Sequence, residues 1–576
     1  MKRITIACCI AVIALSCSGG GGGGQTGVND TTAPSVPMGL VATGVSSSQV
    51  GLTWGASTDD VAVAGYKVYR GGVYLTTVLT GTSTSDTGLS GNSQYCYSVS
   101  AIDAANNESG LSIQSCADTS PAAGSPSAPQ NVAATSGVQS VTIQWDAVAG
   151  ATSYHVYWSA SPNVTNTTGT KIPNATSPYT HPNLAAGTYY YVVTAENAGG
   201  EGWESAEVSS PVNLIAFVTS VMGNGNLGSW ADAGGQAGLA AGDAVCQARA
   251  IASNLTGTFK AWLSDSADDA YCRIHNLTGK KSANCGLAAL PASAGPWVRR
   301  DGFPFGDRID RMLDDGVVYA PIRYDETGTL VPNEFYFTNT SIDGALRSGY
   351  PTPCGDWTSD AAGSSAGGGI TDHTTNNWTT YGSRSCSLAF RLACMQTDAG
   401  PALPAFAATG KKAFITSTMG NGNLSTWSGA GGNTGLAAGD AICQARATSA
   451  GLANAAAFKA WLSSSTTDAV SRIASDGPWV RLDGVRIANS KADLTDGQLF
   501  APINVSQNGY YLGNYGVWTG SDETGTGSAN NCSNWTSNLS TVTGVRGIAG
   551  NAGSGWSSGS SPACNNTIYR LYCLED

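Results

Sequence analysis

Short runs of alternating apolar and polar residues fill the first third of the chain. Val50–Trp54 (VGLTW), Ala64–Arg70 (AGYKVYR) and Gln94–Asp103 (QYCYSVSAID) alternate β-branched or aromatic residues with polar ones. A period of two puts one face of a strand on a core. The same order recurs at Val141–Trp145 (VTIQW), Ser153–Ser159 (SYHVYWS) and Thr188–Asn197 (TYYYVVTAEN). Two small all-β domains are therefore predicted, over 33–120 and 125–214. Beyond 214 the pattern changes. One Ala-rich helix is legible after Asp243 (DAVCQARAIAS) and another after Asp440 (DAICQARATSA). Each Asp is expected at the helix start, where a carboxylate caps or complements the dipole. Short strands and long Gly/Ser/Asn loops make up the rest, an α+β pattern.

This C-terminal half is an internal duplication. Phe217–Trp230 (FVTSVMGNGNLGSW) matches Phe414–Trp427 (FITSTMGNGNLSTW), and Gly238–Ala250 matches Gly435–Ala447. Phe259–Ser266 matches Phe458–Ser465, and WVRRDG at Trp297–Gly302 matches WVRLDG at Trp479–Gly484. YAPI (Tyr319–Ile322) matches FAPI (Phe500–Ile503), and the copies close on FRLACMQ and YRLYCLE. The copies occupy 215–396 and 412–576, each a full domain of about 160–180 residues. A segment of small residues and Pro, 397–411, links them.

The N-terminus is of another kind. Lys2 and Arg3 precede a mostly apolar run, Ile4–Leu15. It is shorter than the roughly 20 residues a spanning helix needs and fits a signal peptide over 1–16. Ala14-Leu15-Ser16-Cys17 resembles a bacterial lipobox, in which the Cys becomes the lipidated first residue. Gly19–Gly24 then supply a flexible tether within 17–32. The expectation is a membrane partner reached through lipid on Cys17, and a location in the cell envelope, at the outer membrane or cell surface of a bacterium.

Composition narrows the remaining classes. At 576 residues the chain is long enough for about four domains. Charged residues are 12% and the net charge is −12, which disfavours coiled coils and nucleic-acid partners. The four His (His155, His181, His275, His373) lie far apart and no CxxC pair occurs, so no metal and no cofactor is expected. Setting Cys8, Cys9 and Cys17 aside leaves twelve Cys, an even number suited to six disulfides in an oxidising compartment. Cys96 and Cys116 are expected to bridge two strands of the first β domain.

Both β domains resemble fibronectin type III sandwiches: an early core Trp (Trp54, Trp145), then a GYKVYR-like strand, then a Tyr-rich strand. Such domains are expected to act as spacers. GLAAGDAVCQARAIASNLTGTFKAWLS in the first copy resembles the endostatin domain of collagens. So do Val517–Ser537 (VWTGSDETGTGSANNCSNWTS) and Pro562–Glu575 (PACNNTIYRLYCLE) in the second. Both copies also resemble a domain of uncharacterised Leptospira-type lipoproteins. The resemblance implies a C-type-lectin-like fold. It further implies bridges Cys443–Cys573 and Cys532–Cys564, and Cys246–Cys394 and Cys354–Cys386. Cys272 and Cys285 would close a loop private to the first copy. Endostatin's arginine-borne heparin binding and N-terminal His zinc site have no counterpart residues here, so neither is transferred.

No catalytic residue is expected. Gly223–Gly228 fits GxGxxG, but Ser425 replaces the last Gly in the second copy. Gly363–Gly367 and Gly555–Gly559 fit GxSxG inside Gly/Ser-rich loops, without the strand–turn–helix a nucleophile elbow requires. Asp307–Asp315 is acidic but lacks calcium-loop spacing and is expected to be a solvated loop. In the repeated WVRxDG, residues Trp297, Arg299, Asp301, Trp479, Arg481 and Asp483 form a packed turn or, as the sharper alternative, a ligand-facing Arg/Asp pair. The expected whole is two β spacers carrying two heads that bind a matrix-protein, glycan or envelope ligand without catalysis. The alternatives are an exported hydrolase with accessory domains, or a purely structural envelope protein.

Overall fold

The computed structural model describes residues 30–406 and 408–576. Cys17 and the signal segment lie outside the described residues. The chain is a multidomain, mostly β-sheet protein. It divides into two compact units: the first sandwich with Ala195–Trp203, and the second sandwich with both heads.

In the first sandwich, strands Val41–Ser46, Gln49–Thr53 and Ser83–Thr87 form one sheet. Val73–Val78, Val63–Arg70, Gln94–Asp103 and Ser115–Asp118 form the other. The alternating residues meet as expected. Val50, Leu52, Trp54, Val68, Tyr97 and Val99 are buried between the sheets. Trp54 packs edge-on against Tyr66 with centroids 5.4 Å apart. Cys96 and Cys116 are cross-strand partners joined by a disulfide.

The second sandwich repeats this plan around Trp145, Val156, Tyr191 and Val193. It is not a free spacer. Its final strand, Val208–Val212, passes through one residue, Asn213, into the first strand of the first head, Leu214–Val218. At the tip of a hairpin, Gln139 Nε2 donates to Thr256 O and Gln139 Oε1 accepts from Thr256 N, both at 2.8 Å. Two bonds from one carboxamide and a one-residue junction tie sandwich to head.

Each head folds back on itself. The first strand lies antiparallel to the last, with Phe217 opposite Cys394 in one head and Phe414 opposite Cys573 in the other. A 15-residue helix crosses that sheet: α1, Gly238–Ala252, and α2, Gly435–Ser449. Cys246–Cys394 and Cys443–Cys573 pin helix to sheet. Cys354–Cys386 and Cys532–Cys564 pin the loop half, and Cys272–Cys285 closes the private loop. The four bridges common to both heads are the pairs the endostatin resemblance implies.

The helices begin earlier than the sequence suggested. Asp243 and Asp440 are interior, not capping. Asp243 pairs with Arg273 and accepts from Ala261 N at 3.0 Å. Asp440 pairs with Arg472 and accepts from Ala460 N at 2.9 Å. These carboxylates tie the helix to the neighbouring strand, which an Asp at the start could not reach. The acidic stretch also differs from a solvated loop. Ile309–Asp314 is a short helix with Ile309 and Met312 buried. Arg311 pairs with both Asp307 and Asp315, one turn to either side, which supports the helix.

The heads pack on each other as an internal pseudo-dimer. Matching Trp378 with Trp556 makes Asp372 equivalent to Gly550, His373 to Asn551 and Thr374 to Ala552. Thr374 N donates to Gly550 O (2.8 Å), and Ala552 N donates to Asp372 O (2.9 Å). These bonds are mates under a two-fold operation, and His373 bridges its own counterpart Asn551 on the axis. Contacts in which i meets j and j meets i define an isologous interface.

Candidate functional site

The repeated WVRxDG motif builds this interface from both sides. Trp297 Nε1 donates to Gln396 O (2.8 Å) and Trp479 Nε1 to Glu575 O (2.9 Å), so each Trp is locked onto its own last strand. Arg299 and Arg481 are both 0% exposed. Each forms a two-point pair with the Asp two residues on: Arg299 with Asp301 (2.6 and 3.1 Å) and Arg481 with Asp483 (2.7 and 3.1 Å). The remaining nitrogen reaches the other head. Arg299 Nη1 donates to Phe500 O (3.2 Å), and Arg481 Nη1 donates to Tyr319 O (3.0 Å). Phe500 and Tyr319 open the matched FAPI and YAPI segments, so two repeated motifs recognise each other across the axis. Burying a guanidinium requires a paired carboxylate and satisfied donors, and this geometry supplies both. The arginines are thus docking elements, not ligand-facing groups.

Beside the axis the interface opens into a groove of about 630 Å³. Tyr319, Phe406 and Tyr511 supply aromatic surface, and Asp307, Arg308 and Asp483 supply polar groups. Phe406 comes from the inter-head segment, which is a packed strap: Phe406 meets Tyr319 edge-on at 4.8 Å. Gly484 is required here. Its φ is +85°, and a Cβ would lie 2.1 Å from Phe406 O.

The carboxylates of the groove are held by the protein. Asp307 Oδ2 accepts from Tyr319 Oη (2.9 Å) and Arg311 Nη1 (2.5 Å). Asp483 Oδ2 accepts from Arg481 and from Tyr511 Oη. Burial works to raise the Asp483 pKa, but the Arg481 charge outweighs it and holds the carboxyl below its ordinary range. Burial and the adjacent carboxylates push Tyr319 and Tyr511 up, so both stay neutral hydroxyls. The arrangement offers aromatic faces, fixed acceptors and the Arg308 cation. It can hold a ligand, whereas acid–base work needs a carboxylate or imidazole freer than these. Sequence reasoning missed Tyr511, whose counterpart Leu330 breaks the repeat, and Phe406, which lies in the linker.

The remaining motifs resolve as packing. A Cβ at Gly223 would meet the Trp230 ring at 2.2 Å, and one at Gly225 would meet Cys354 Sγ at 2.4 Å. Gly420 and Gly422 face Trp427 and Cys532 in the same way. The GxGxxG glycines therefore seat a Trp and a disulfide. In the GxSxG stretches, Ser365 begins strand Ser365–Ile370. Ser557 is buried, accepts from Trp461 Nε1 (3.1 Å) and donates to Asp522 O (3.1 Å). Among the described residues, ligand atoms of Asp30, Asp59 and Asp60 in the first sandwich lie within 4.8 Å of one another.

No family model matches the chain. It is similar to Chitinase A1 of Niallia circulans, 38% identical over 200 residues, covering 33% of this chain and 26% of that protein. Exoglucanase B of Cellulomonas fimi is 38% identical over 201 residues, covering 33% of this chain and 17% of that protein. The matched regions are fibronectin type III-like. This chain carries fibronectin type III-like domains. It spans about a quarter or less of the length of these curated relatives. A solved Fn3-like protein from Clostridium thermocellum is 32% identical over 15% of this chain and 95% of its own length, with a TM-score of 0.14.

Proposed function

We propose that this chain is an exported, lipid-anchored surface protein whose paired heads bind a glycan without catalysis. The observation that carries it is the inter-head groove with Tyr319, Phe406 and Tyr511 on its walls. Aromatic faces beside fixed hydrogen-bonding groups suit sugar rings, which present apolar faces and hydroxyl edges. Each head has an endostatin-like, C-type-lectin-like fold in this reading. The adjacent terminal strands and the disulfide from helix to last strand support it. Cys17 carries the lipid and holds the protein in the bacterial envelope. The acidic chain repels sulfated polymers, so binding weakens little with salt.

Co-sedimentation of the intact chain with peptidoglycan sacculi, chitin and cellulose tests the reading. Retention on at least one polymer, reduced by Tyr511→Leu, is expected. Retention on an immobilised matrix protein and on no polysaccharide would replace the glycan by a protein ligand.

The second reading, an exported hydrolase, draws on the names of the relatives, two of which are a chitinase and an exoglucanase. Release of reducing ends from chitin or β-glucan by the intact chain would establish it.

A further inference from the structure

The inter-head groove carries one charge that the protein leaves unmatched. Among its charged groups, Asp307 is paired with Arg311, and Asp483 with the buried Arg481. Arg308 also lines the groove and is half-buried. Its Nη1 donates to Ser293 O at 3.1 Å. Its guanidinium has no carboxylate partner among the described residues, and its Nε–Nη2 edge makes no hydrogen bond there. Arg308 is also a poor choice for its place in the fold. It is the N-cap of the helix Ile309–Asp314, and its side chain makes no capping bond. Ser490 stands at the matching position of head two and caps the helix Lys491–Thr495, accepting from Asp493 N at 3.3 Å. Ser is a favoured cap, whereas a cation at a helix start opposes the dipole. Head one thus gives up a cap and places a positive charge in the groove. Departures from local stability rules concentrate at functional sites.

We propose that the groove selects a sugar bearing a carboxylate, held by Arg308. This rests on the glycan reading above and narrows it to acidic sugars. The Nε–Nη2 edge of a guanidinium presents two parallel N–H donors, which match the two oxygens of a carboxylate. The sugar ring lies against the aromatic faces of Tyr319, Phe406 and Tyr511. A neutral sugar leaves the guanidinium unmatched, and a cationic one is repelled by it. A single carboxylate differs from a densely sulfated polymer, whose many charges meet the diffuse repulsion of the acidic chain. Sugars carry such a group either as a uronic acid or on a lactyl ether.

Calorimetric titration of the intact chain tests the proposal and separates the two sources. Digalacturonate is compared with its dimethyl ester. The disaccharide of N-acetylglucosamine and N-acetylmuramic acid is compared with diacetylchitobiose, which lacks the lactyl group. At least one acid is expected to bind about tenfold tighter than its neutral counterpart, the factor one charge-assisted pair supplies. The pair that shows the preference names the source. Arg308→Ser installs the head-two residue. It should abolish the preference while the melting temperature holds or rises, because a helix cap is gained. Tyr511→Leu should weaken acid and neutral sugar by the same factor. Neutral counterparts bound as tightly as the acids, with both weakened by Tyr511→Leu, would refute the role of Arg308 and leave the glycan reading standing. An acid preference that survives Arg308→Ser would also overturn the proposal. No binding of any of the four sugars at millimolar concentration would overturn both readings.

Discussion

The two heads share a fold but differ where they meet. Head one contributes Arg323, Asp372 and His373 to the shared surface, and head two has Asn504, Gly550 and Asn551 at the matching positions. Arg323 reaches across to Gln498 Oε1 (2.9 Å), Ala552 O (3.2 Å) and Leu499 O. Asn504 accepts from Arg481 of its own head at 2.7 Å and donates to Thr374 Oγ1 of the other at 3.4 Å. Beyond the matched pair Arg299 and Arg481, head one thus adds further buried ionisable groups, and head two meets them with amides and carbonyls. A true homodimer would bring Arg323 and His373 to the axis twice. Duplication within one chain lets the copies diverge, so that like charges need not face each other in a dry interface. The private bridge Cys272–Cys285 and the groove residue Tyr511 are further departures on opposite sides of the axis.

The largest expected effect compares disulfides. Cys443–Cys573 closes 130 residues and Cys272–Cys285 closes 13. Loop-closure entropy assigns them about 5 and 3 kcal/mol respectively. Urea unfolding of the two double Cys→Ala variants should reproduce that order. A private bridge worth as much as the long one would mean that head one depends on its own loop for folding.

Next come the paired arginines. Arg299→Ala and Arg481→Ala each remove the partner of a partly exposed Asp and of a carbonyl of the other head, costing about 1–3 kcal/mol. Arg481→Ala should cost more than Arg299→Ala by about 1 kcal/mol, the scale of a single hydrogen bond, because Arg481 alone also bonds Asn504 and Tyr511. A larger loss at Arg299 would contradict this asymmetry.

The pH dependence separates the heads further. His373 is 5% exposed, and burial pushes its imidazole down to about 4. The unfolded chain protonates near 6.5 while the folded chain does not, so stability falls as pH drops from about 6.5 to 4, by about 3 kcal/mol at most. Asp372, pushed up by burial, acts in the opposite sense at the acid end. His373→Asn makes head one resemble head two here and should remove the fall above pH 5. An unchanged melting profile between pH 4.5 and 6.5 would place the acid sensitivity elsewhere.

The smallest effect is on binding in the groove. Tyr511→Leu installs the residue found at the matching position of head one, Leu330. Polysaccharide retention should drop about tenfold, or about 1.4 kcal/mol. Folding stability should fall by about 1.5–3 kcal/mol, for the lost bond to the Asp483 carboxylate. Wild-type retention in this variant would mean that the asymmetry of the groove serves packing alone.

Much of this was legible in the chain because it depends on local period or on repetition. The alternation around Trp54 and Trp145 specifies strands with one buried face. Matched Cys positions in the copies constrain the bridges once a family pattern is supplied. WVRxDG stood out because it recurs, but recurrence could not tell a ligand pair from a docking pair, since both need a fixed Arg and Asp. The helix starts were misplaced because Asp243 and Asp440 resemble caps locally, while their partners Arg273 and Arg472 lie about 30 residues away.

By itself the sequence determined the modular order, the two duplications, the strand-forming runs and an even set of cysteines open to pairing. Each of these is encoded in spacing along one dimension. Only the tertiary structure decided that the linker is a strap, that the second sandwich belongs to the head unit, and that Arg299 and Arg481 face opposite heads across an axis. It alone left Asn213 Oδ1 buried without a partner at the junction of sandwich and head. Such features depend on which desolvated groups end up beside one another, and a buried donor finds its acceptor by geometry, at whatever distance along the chain the fold brings it.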